Sequence, residues 1–462
     1  MAASGIHALN MNPFVSPRLT YSRLLPPIER GFSYALMERL GLSMCSDTTR
    51  IPGIARTPVP VAYTYFGQFI IHDLTRDDTA LFPIPIPEPE EVVNHRAPFL
   101  DLDSVYGRGP CSEDCFLYER DGLHLKVGES AEGLPVFDIP LDRTGHALVG
   151  DDRNNENILV RQVLAILLKL HNLAVDELHG TVPVDKLFET ARERVRWQYQ
   201  WLVRNDYLAR ICKPEIYDDV IRKGNTRIDW GDCFAIPVEF SHAAGRFGHS
   251  MVREEYRLNG HHPELKVEEL FQKAQELRPL TPDLAADWNH LTGLDPAHSI
   301  DTTVVAALFH LFPPSPKPNP PGPTPPEPES LPVRTLFRGV TMRIPTGETV
   351  RAALDPAAQL CIPPDYDPFR DLSDLGLIGR TPLWYYILLE AEVCEQGARL
   401  GNLGSRLFAE VIHGALRYDP GSIAKKLADD PNWRPPRWRA APEKDIDSFR
   451  ELAALVGLAT WP

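Results

Sequence analysis

Residues 155–178 read NENILVRQVLAILLKLHNLAVDEL. Leu159, Val160, Val163, Leu164, Leu167 and Leu168 recur at three-to-four spacing, which predicts a buried helix, with Asn154 or Asn155 available to cap it just after Arg153. The same period recurs outward from this segment. Between Val184 and about Leu208, the apolar set Leu187, Ala191, Val195, Tyr199 and Leu202 is interleaved with Arg and Glu, as in a long helix with one wet face. Thr381 and Pro382 open TPLWYYILLEAEVCEQG as cap and first-turn proline, and Gly397 closes it. A further stripe carries Leu407, Phe408, Val411, Ile412, Ala415 and Leu416. Strand candidates such as GLHLKVG (122–128) and LFRGVTMRI (336–344) are short and scattered, so the expected fold is mainly α with a few short strands.

Composition narrows the partners. The chain has 462 residues and a formal charge of -15. A surface of that sign repels phosphate backbones and anionic membranes, so nucleic acid is not an expected partner. No run of apolar residues is long enough to expect a membrane span, and no apolar segment follows a basic one near Met1. The expected location is therefore the cytoplasm, with secretion by another route left open. Seven cysteines do not form the dense framework of a small secreted protein. Of these, Cys111 and Cys115 are close enough for a local bridge, or are two loop thiols. Of 45 prolines, many fall in FPPSPKPNPPGPTPPEPESLP, which suits a solvated polyproline II segment. The expected organisation is an N-terminal arm over 1–30 and one domain over 31–460, with 313–333 as a Pro-rich surface loop within it.

The residues with chemistry lie in short fragments. YFGQFIIHDLT (65–75) sets His72 and Asp73 into an apolar run, and Gln68 stands one helical turn before His72. FLDLDSVYG (99–107) places Asp101 and Asp103 two apart, a spacing that suits a hard cation such as Ca²⁺ with Asp73 as a third carboxylate, or a solvated acidic loop. GRFGHSMV (245–252) surrounds His249 with small residues, which fits either close approach of a planar group or helix packing. Each histidine taken alone is equally a buried core residue.

Taken in order, GQFIIHDLT, FLDLDSVYG, GDDRNNENILVRQVLAILLKLHN, GRFGHSMV, RTLFRGVTMRIPTG and TPLWYYILLEAEV resemble the animal haem peroxidase family (peroxidase-cyclooxygenase superfamily) in its bacterial branch, over about 12–457. The resemblance implies a helical fold with haem b between distal and proximal helices. It makes His72 the distal acid–base group, Gln68 its water- or halide-contacting neighbour, and Arg153 the catalytic arginine. His249 becomes the proximal iron ligand and Arg338 the partner of a haem propionate. Asp73, Asp101 and Asp103, with backbone oxygens near Ala97 and Phe99, become the calcium ligands. The implied activity is an oxidoreductase that uses H₂O₂ to oxidise small organic donors or halides through a ferryl state, in response to oxidative stress.

Three positions depart from the family pattern. Ile71 stands where many relatives have an ester-forming aspartate, so Glu156 is left as the single carboxyl for a covalent haem link. Asn157 rules out a sulfonium link. Thr335 stands where the family's asparagine holds the proximal imidazole N–H; its hydroxyl can accept but reaches less far, which implies a less well fixed proximal bond. Two other functions are weighed. Fatty-acid dioxygenase chemistry needs a tyrosine three residues before the proximal histidine, where this chain has Arg246. An inactive haem scaffold would not need His72, Arg153 and His249 together.

Overall fold

The long apolar stripe is a helix, but its cap lies two residues beyond the second of the expected asparagines. Asn157 accepts from the N–H groups of Leu159 and Val160 at 3.1 and 2.9 Å, while Asn154 and Asn155 belong to a preceding 3-10 turn, Asp152–Asn155. The computed structural model describes residues 20–45, 57–82, 88–129, 135–293, 295–311, 328–356 and 366–459, and it is mostly helical. Its principal helices are α1 (Tyr34–Ser43), α2 (Ala62–Leu74), α3 (Ile158–Leu178), α4 (Val184–Leu202), α5 (Leu331–Thr341), α6 (Leu383–Glu395) and α7 (Asn402–Tyr418). Among the described residues, paired strands occur only as a short antiparallel ladder, Glu255–Tyr256 with Leu265–Lys266.

Helix α2 runs through the interior, and all but two of its residues, Gln68 and Ile71, are buried. It packs against α3, and Phe69 meets the ring of Tyr199 on α4 edge-on at 6.0 Å. Past Leu202, α4 widens into a π turn, Val203–Tyr207, before Leu208–Ile211 resumes α geometry. The hydroxyl of Tyr207 lies 2.3 Å from where a Cβ on Gly67 would stand, so glycine there is what lets the π turn meet α2. By length and composition α3 could cross a bilayer, but 83% of its apolar window is buried inside the protein, where it serves as core.

Several expectations change. LFRGVTMRI is not a strand; it is the body of α5, capped by Ser330 with Pro332 in the first turn. A short apolar run with three β-branched residues, Val340, Thr341 and Ile344, does not distinguish strand from helix by period alone. The other strand candidate contributes one isolated bridge, Tyr118 with Leu125. The last residues of the expected Pro-rich loop, Leu331, Pro332 and Val333, are helical; residues 312–327 lie outside the described set. Cys111 and Cys115 are exposed free thiols, not a bridge. Of the N-terminal arm, residues 20–25 are bound to the body: Ser22 N–H donates to the Ile236 carbonyl at 2.9 Å, and Leu24 and Leu25 N–H to the buried Glu239 carboxylate.

Candidate active site

A cavity of about 590 Å³ opens between α2, the turn before α3, the segment Ala244–His249 and the start of α5. His72, Gln68, Arg153, Glu156, His249 and Arg338 all line it. The fold therefore gathers residues far apart in sequence into one space.

His72 is 7% exposed, and its Nδ1 lies 2.9 Å from the side-chain oxygen of Asn154. An amide oxygen only accepts, so Nδ1 carries the proton and Nε2 keeps its lone pair. Burial first, and the positive charge of Arg153 second, bring the imidazole down to about 3, so it is neutral at ordinary pH. Nε2 stands 3.9 Å from Glu156 Oε2. Burial pushes the Glu156 carboxyl up to about 7, against the pull of Arg153. Gln68 is pinned at both ends of its amide: Nε2 donates to Glu156 at 3.0 Å, and Oε1 accepts from Asn157 Nδ2 at 3.0 Å. Each bond uses one of two sites at its end of the amide, so Gln68 is held in place at the cavity wall with an N–H and a lone pair to spare.

Arg153 reaches the cavity with most of its donors committed. Nε and Nη2 pair with Asp151 at 3.0 and 2.7 Å, Nη2 also donates to the His72 carbonyl at 2.9 Å, and Nη1 donates to the Thr75 carbonyl at 2.7 Å. One N–H, on Nη1, is left for a ligand. Asp151 caps the turn by accepting the Arg153 N–H, and it also binds Arg96 and Arg76. Those bonds hold its carboxyl well below the usual range although burial opposes them.

Beside His72, Asp73 is fully buried; its carboxylate accepts from Ser104 Oγ at 2.9 Å and from Leu102 N–H at 3.2 Å. One carboxylate oxygen each of Asp73, Asp101 and Asp103 lies within 4.8 Å of the others. Burial, then the neighbouring Asp101 charge, pushes Asp73 up to about 7; burial, then Asp419, brings Asp101 to about 6; Asp103 is also raised, by burial and Asp101. Three acids so placed repel one another unless protonated or bridged by a cation. Leu102, between two of them, has a left-handed backbone at φ 61. Ala97 turns its N–H to Asp103 at 2.9 Å. Phe99, the other expected backbone ligand, is buried in the same loop.

The segment Ala244–His249 is a 3-10 helix, in which side chains three apart eclipse. Arg246 and His249 therefore share a face. Burial, then Arg246, bring the His249 imidazole down to about 3, and its Nδ1 is buried with no partner. The expected proximal partner is not there. Thr335 is buried on α5, but its hydroxyl donates to the Leu331 carbonyl one turn back at 3.0 Å and makes no bond to His249. A threonine inside a helix commonly satisfies itself in this way, and its reach is short. The ring of Trp384 on α6 meets the imidazole edge-on, with centroids 6.1 Å apart, and its Nε1 donates to the Arg246 carbonyl at 3.1 Å.

Arg338 lines the cavity and pairs with Asp77 at 3.5 Å while donating to the Thr79 carbonyl at 2.6 Å. Arg246, within the same cavity, is held by Nε to the Ser241 carbonyl, and burial, then Arg338, bring it down to about 10. Asp77 also binds His242 Nε2 at 2.8 Å. Two guanidinium groups beside an imidazole with an unmet buried nitrogen suit a planar cofactor that carries carboxylates and a metal, as haem does. The volume lies in the ordinary range for a cofactor site, roughly 300–1,000 Å³. Sequence reasoning missed Asn154, assigned above to capping, and used Arg246 only as an absent tyrosine. The acidic cap ahead of Arg153 and the three-residue spacing to His249 were the available signals.

A sequence model described as animal haem peroxidase matches residues 76–315. A peroxidase-like protein from Margaritifera margaritifera is 29% identical over 195 residues, which are 38% of this chain and 24% of that protein, so the chain spans well under half of that relative. Peroxidase A from Dictyostelium discoideum shares the fold, with a TM-score of 0.65 and 16% identity over 98% of this chain and 100% of that one. So does a fatty acid alpha-dioxygenase from Oryza sativa, with a TM-score of 0.68 and 14% identity over 94% and 82% of the two chains.

Proposed function

Since the chain belongs to the animal haem peroxidase family, we propose that it is a haem-dependent peroxidase, consuming H₂O₂ and oxidising a small organic donor or a halide. The observation that carries this reading is the single cavity lined by both His72, neutral with Nε2 unprotonated, and His249, with a buried unpartnered Nδ1. His249 would ligate the iron, and Arg338 with Arg246 would receive the propionates. Haem, when bound, supplies a redox-active iron that takes oxidising equivalents from peroxide and passes them to the donor.

The chain's own residues handle the proton. Nε2 of His72 would take a proton from peroxide and return it to the departing oxygen, which a neutral imidazole can do and an imidazolium cannot. The free N–H of Arg153 and its charge stabilise the negative oxygen formed on the way. Its other donors keep the His72 and Thr75 carbonyls in place. Covalent attachment, where it forms, runs through Glu156 alone. Ca²⁺ is the proposed occupant of the Asp73, Asp101 and Asp103 cluster, with the Phe99 carbonyl, and would tie the loop to α2 directly beside His72.

The test is the absorption spectrum of the haem-supplemented protein before and after peroxide. A Soret band that responds to stoichiometric H₂O₂, with turnover of phenols or halides, is expected; no Soret band sinks the assignment. Because the fold is shared with fatty acid alpha-dioxygenases, linoleate under O₂ belongs in the same series. Oxygen uptake without peroxide would favour that second chemistry, against which Arg246 stands in place of a radical-forming tyrosine.

A further inference from the structure

We propose that Asn154 is a positioning residue for His72: its side-chain oxygen fixes which imidazole nitrogen bears the proton and which way the ring faces, an assignment that rests on the peroxidase reading of the site. The two residues are 82 apart in sequence, and both are buried. The 2.9 Å bond to Nδ1 is the one hydrogen bond made by the His72 ring among the described residues. Gln68, one turn back on α2, is occupied by Glu156 and Asn157 and does not hold the ring.

Asn154 has no competing duty. It does not cap α3, which Asn157 does, and its Nδ2 is buried without a partner, so its side chain makes a single bond, the one to His72. A buried amide that leaves a donor unmet is unfavourable for stability, and a residue kept only for packing would be better apolar. The flanking geometry serves the same end. Arg153, next in the turn, binds the backbone carbonyl of His72, so consecutive residues grip that histidine at its carbonyl and at its ring. Asp151 anchors the turn through Arg153, Arg96 and Arg76. With the proton held on Nδ1, Nε2 presents a lone pair to the cavity. Without the asparagine oxygen the other tautomer is open, and in it the cavity meets an N–H that cannot accept the peroxide proton.

The experiment uses the haem-loaded full chain. Stopped-flow measurement of the Soret change with H₂O₂ should give Asn154→Leu a second-order rate constant lower by at least about tenfold, while Asn154→Asp, which keeps an acceptor of the same shape, stays within about threefold of native. The losses of Asn154→Leu and His72→Ala should not add, because the first acts through the second. In the diamagnetic ferrous–CO form, ¹⁵N spectra of labelled histidine should show His72 protonated at Nδ1 in the native chain and redistributed toward Nε2 in Asn154→Leu. If the leucine variant does not fold, Asn154→Ser, too short to reach the ring, is read in its place. A native rate and native tautomer in the leucine or serine variant, or additive losses in the double variant, overturns the inference. Failure of the native chain to bind haem or to react with peroxide instead overturns the underlying reading and is seen before any variant is made.

Discussion

Thr335 turns its hydroxyl back onto the carbonyl of Leu331, 3.0 Å away, and His249 Nδ1 is buried with no hydrogen-bond partner among the described residues. An acceptor there would make the imidazole a stronger electron donor to iron and hold its plane. Thr335→Asn is longer and cannot satisfy itself in the same manner, so it should lower the iron reduction potential and tighten haem retention. Spectroelectrochemical titration of the two proteins checks this; an unchanged potential would mean that the unmet nitrogen has no bearing on the iron.

Burial holds His72 at about 3, with Arg153 adding to it. The neutral base is therefore present across the ordinary range, and in Glu156→Gln, which removes the carboxyl 3.9 Å from Nε2 that burial pushes up to about 7, the rate of reaction with peroxide should be flat from about pH 8 down through 6.5, the usual histidine value, falling only below about 4. A rate that halves near pH 6.5 would show the imidazole to be solvated.

Stability should move the other way from a simple surface histidine. His171 and His242 are each brought down to about 4, chiefly by burial. Because the unfolded chain takes these protons first as pH falls, the stability they contribute is complete above about 6.5 and is lost progressively from there to about 4. Denaturant midpoints measured between pH 4 and 8 should therefore drop on the acid side, and His171→Leu should flatten that slope.

The carboxylate cluster has the opposite sign. Asp73 at about 7 and Asp101 at about 6 are raised in the fold, so without a cation their contribution is largest below about 4 and is lost as pH rises through 7. A bound Ca²⁺ would offset the repulsion. Adding a chelator should then lower the melting temperature clearly at pH 8 and little at pH 5, and Asp73→Asn should shrink the difference. Equal chelator effects at both pH values would refute a cation at this cluster.

Ile71 lines the cavity and packs toward Gly245, whose Cβ, if present, would lie 3.1 Å from Ile71 Cδ1. On the proposed peroxidase reading, it places an inert side chain at the position of a haem-linking carboxylate. After peroxide turnover, acidified solvent should extract all haem from Glu156→Gln, whereas Ile71→Asp should retain more haem on the peptide than native. Mass spectrometry of the denatured chains reads both outcomes.

Much of the site was legible as fragments. The spacing from Gln68 to His72 placed both on one turn of α2, and the apolar stripe from Leu159 to Leu168 marked α3. The same reasoning that read Thr381 and Pro382 as a helix start would have read Ser330 and Pro332, yet the β-branched run after them suggested a strand, and α5 is helical because its apolar face has α1 to pack on. The cap of α3 was off because three asparagines compete in NNEN, and only the folded backbone shows which one faces the free N–H groups.

Most local order, then, was determined by the sequence alone: the helices other than α5, their wet and dry faces, and the short motifs on them follow from period and capping chemistry that act within a few residues. Which polar atom meets which was decided only by the tertiary structure. His72 finds Asn154 from 82 residues away, and Arg338 finds Asp77 from 261 residues away. Thr335 meets its own helix instead of His249. Hydrogen bonds depend on distances of tenths of an ångström, and those are fixed by the packing of whole helices, which no local pattern encodes.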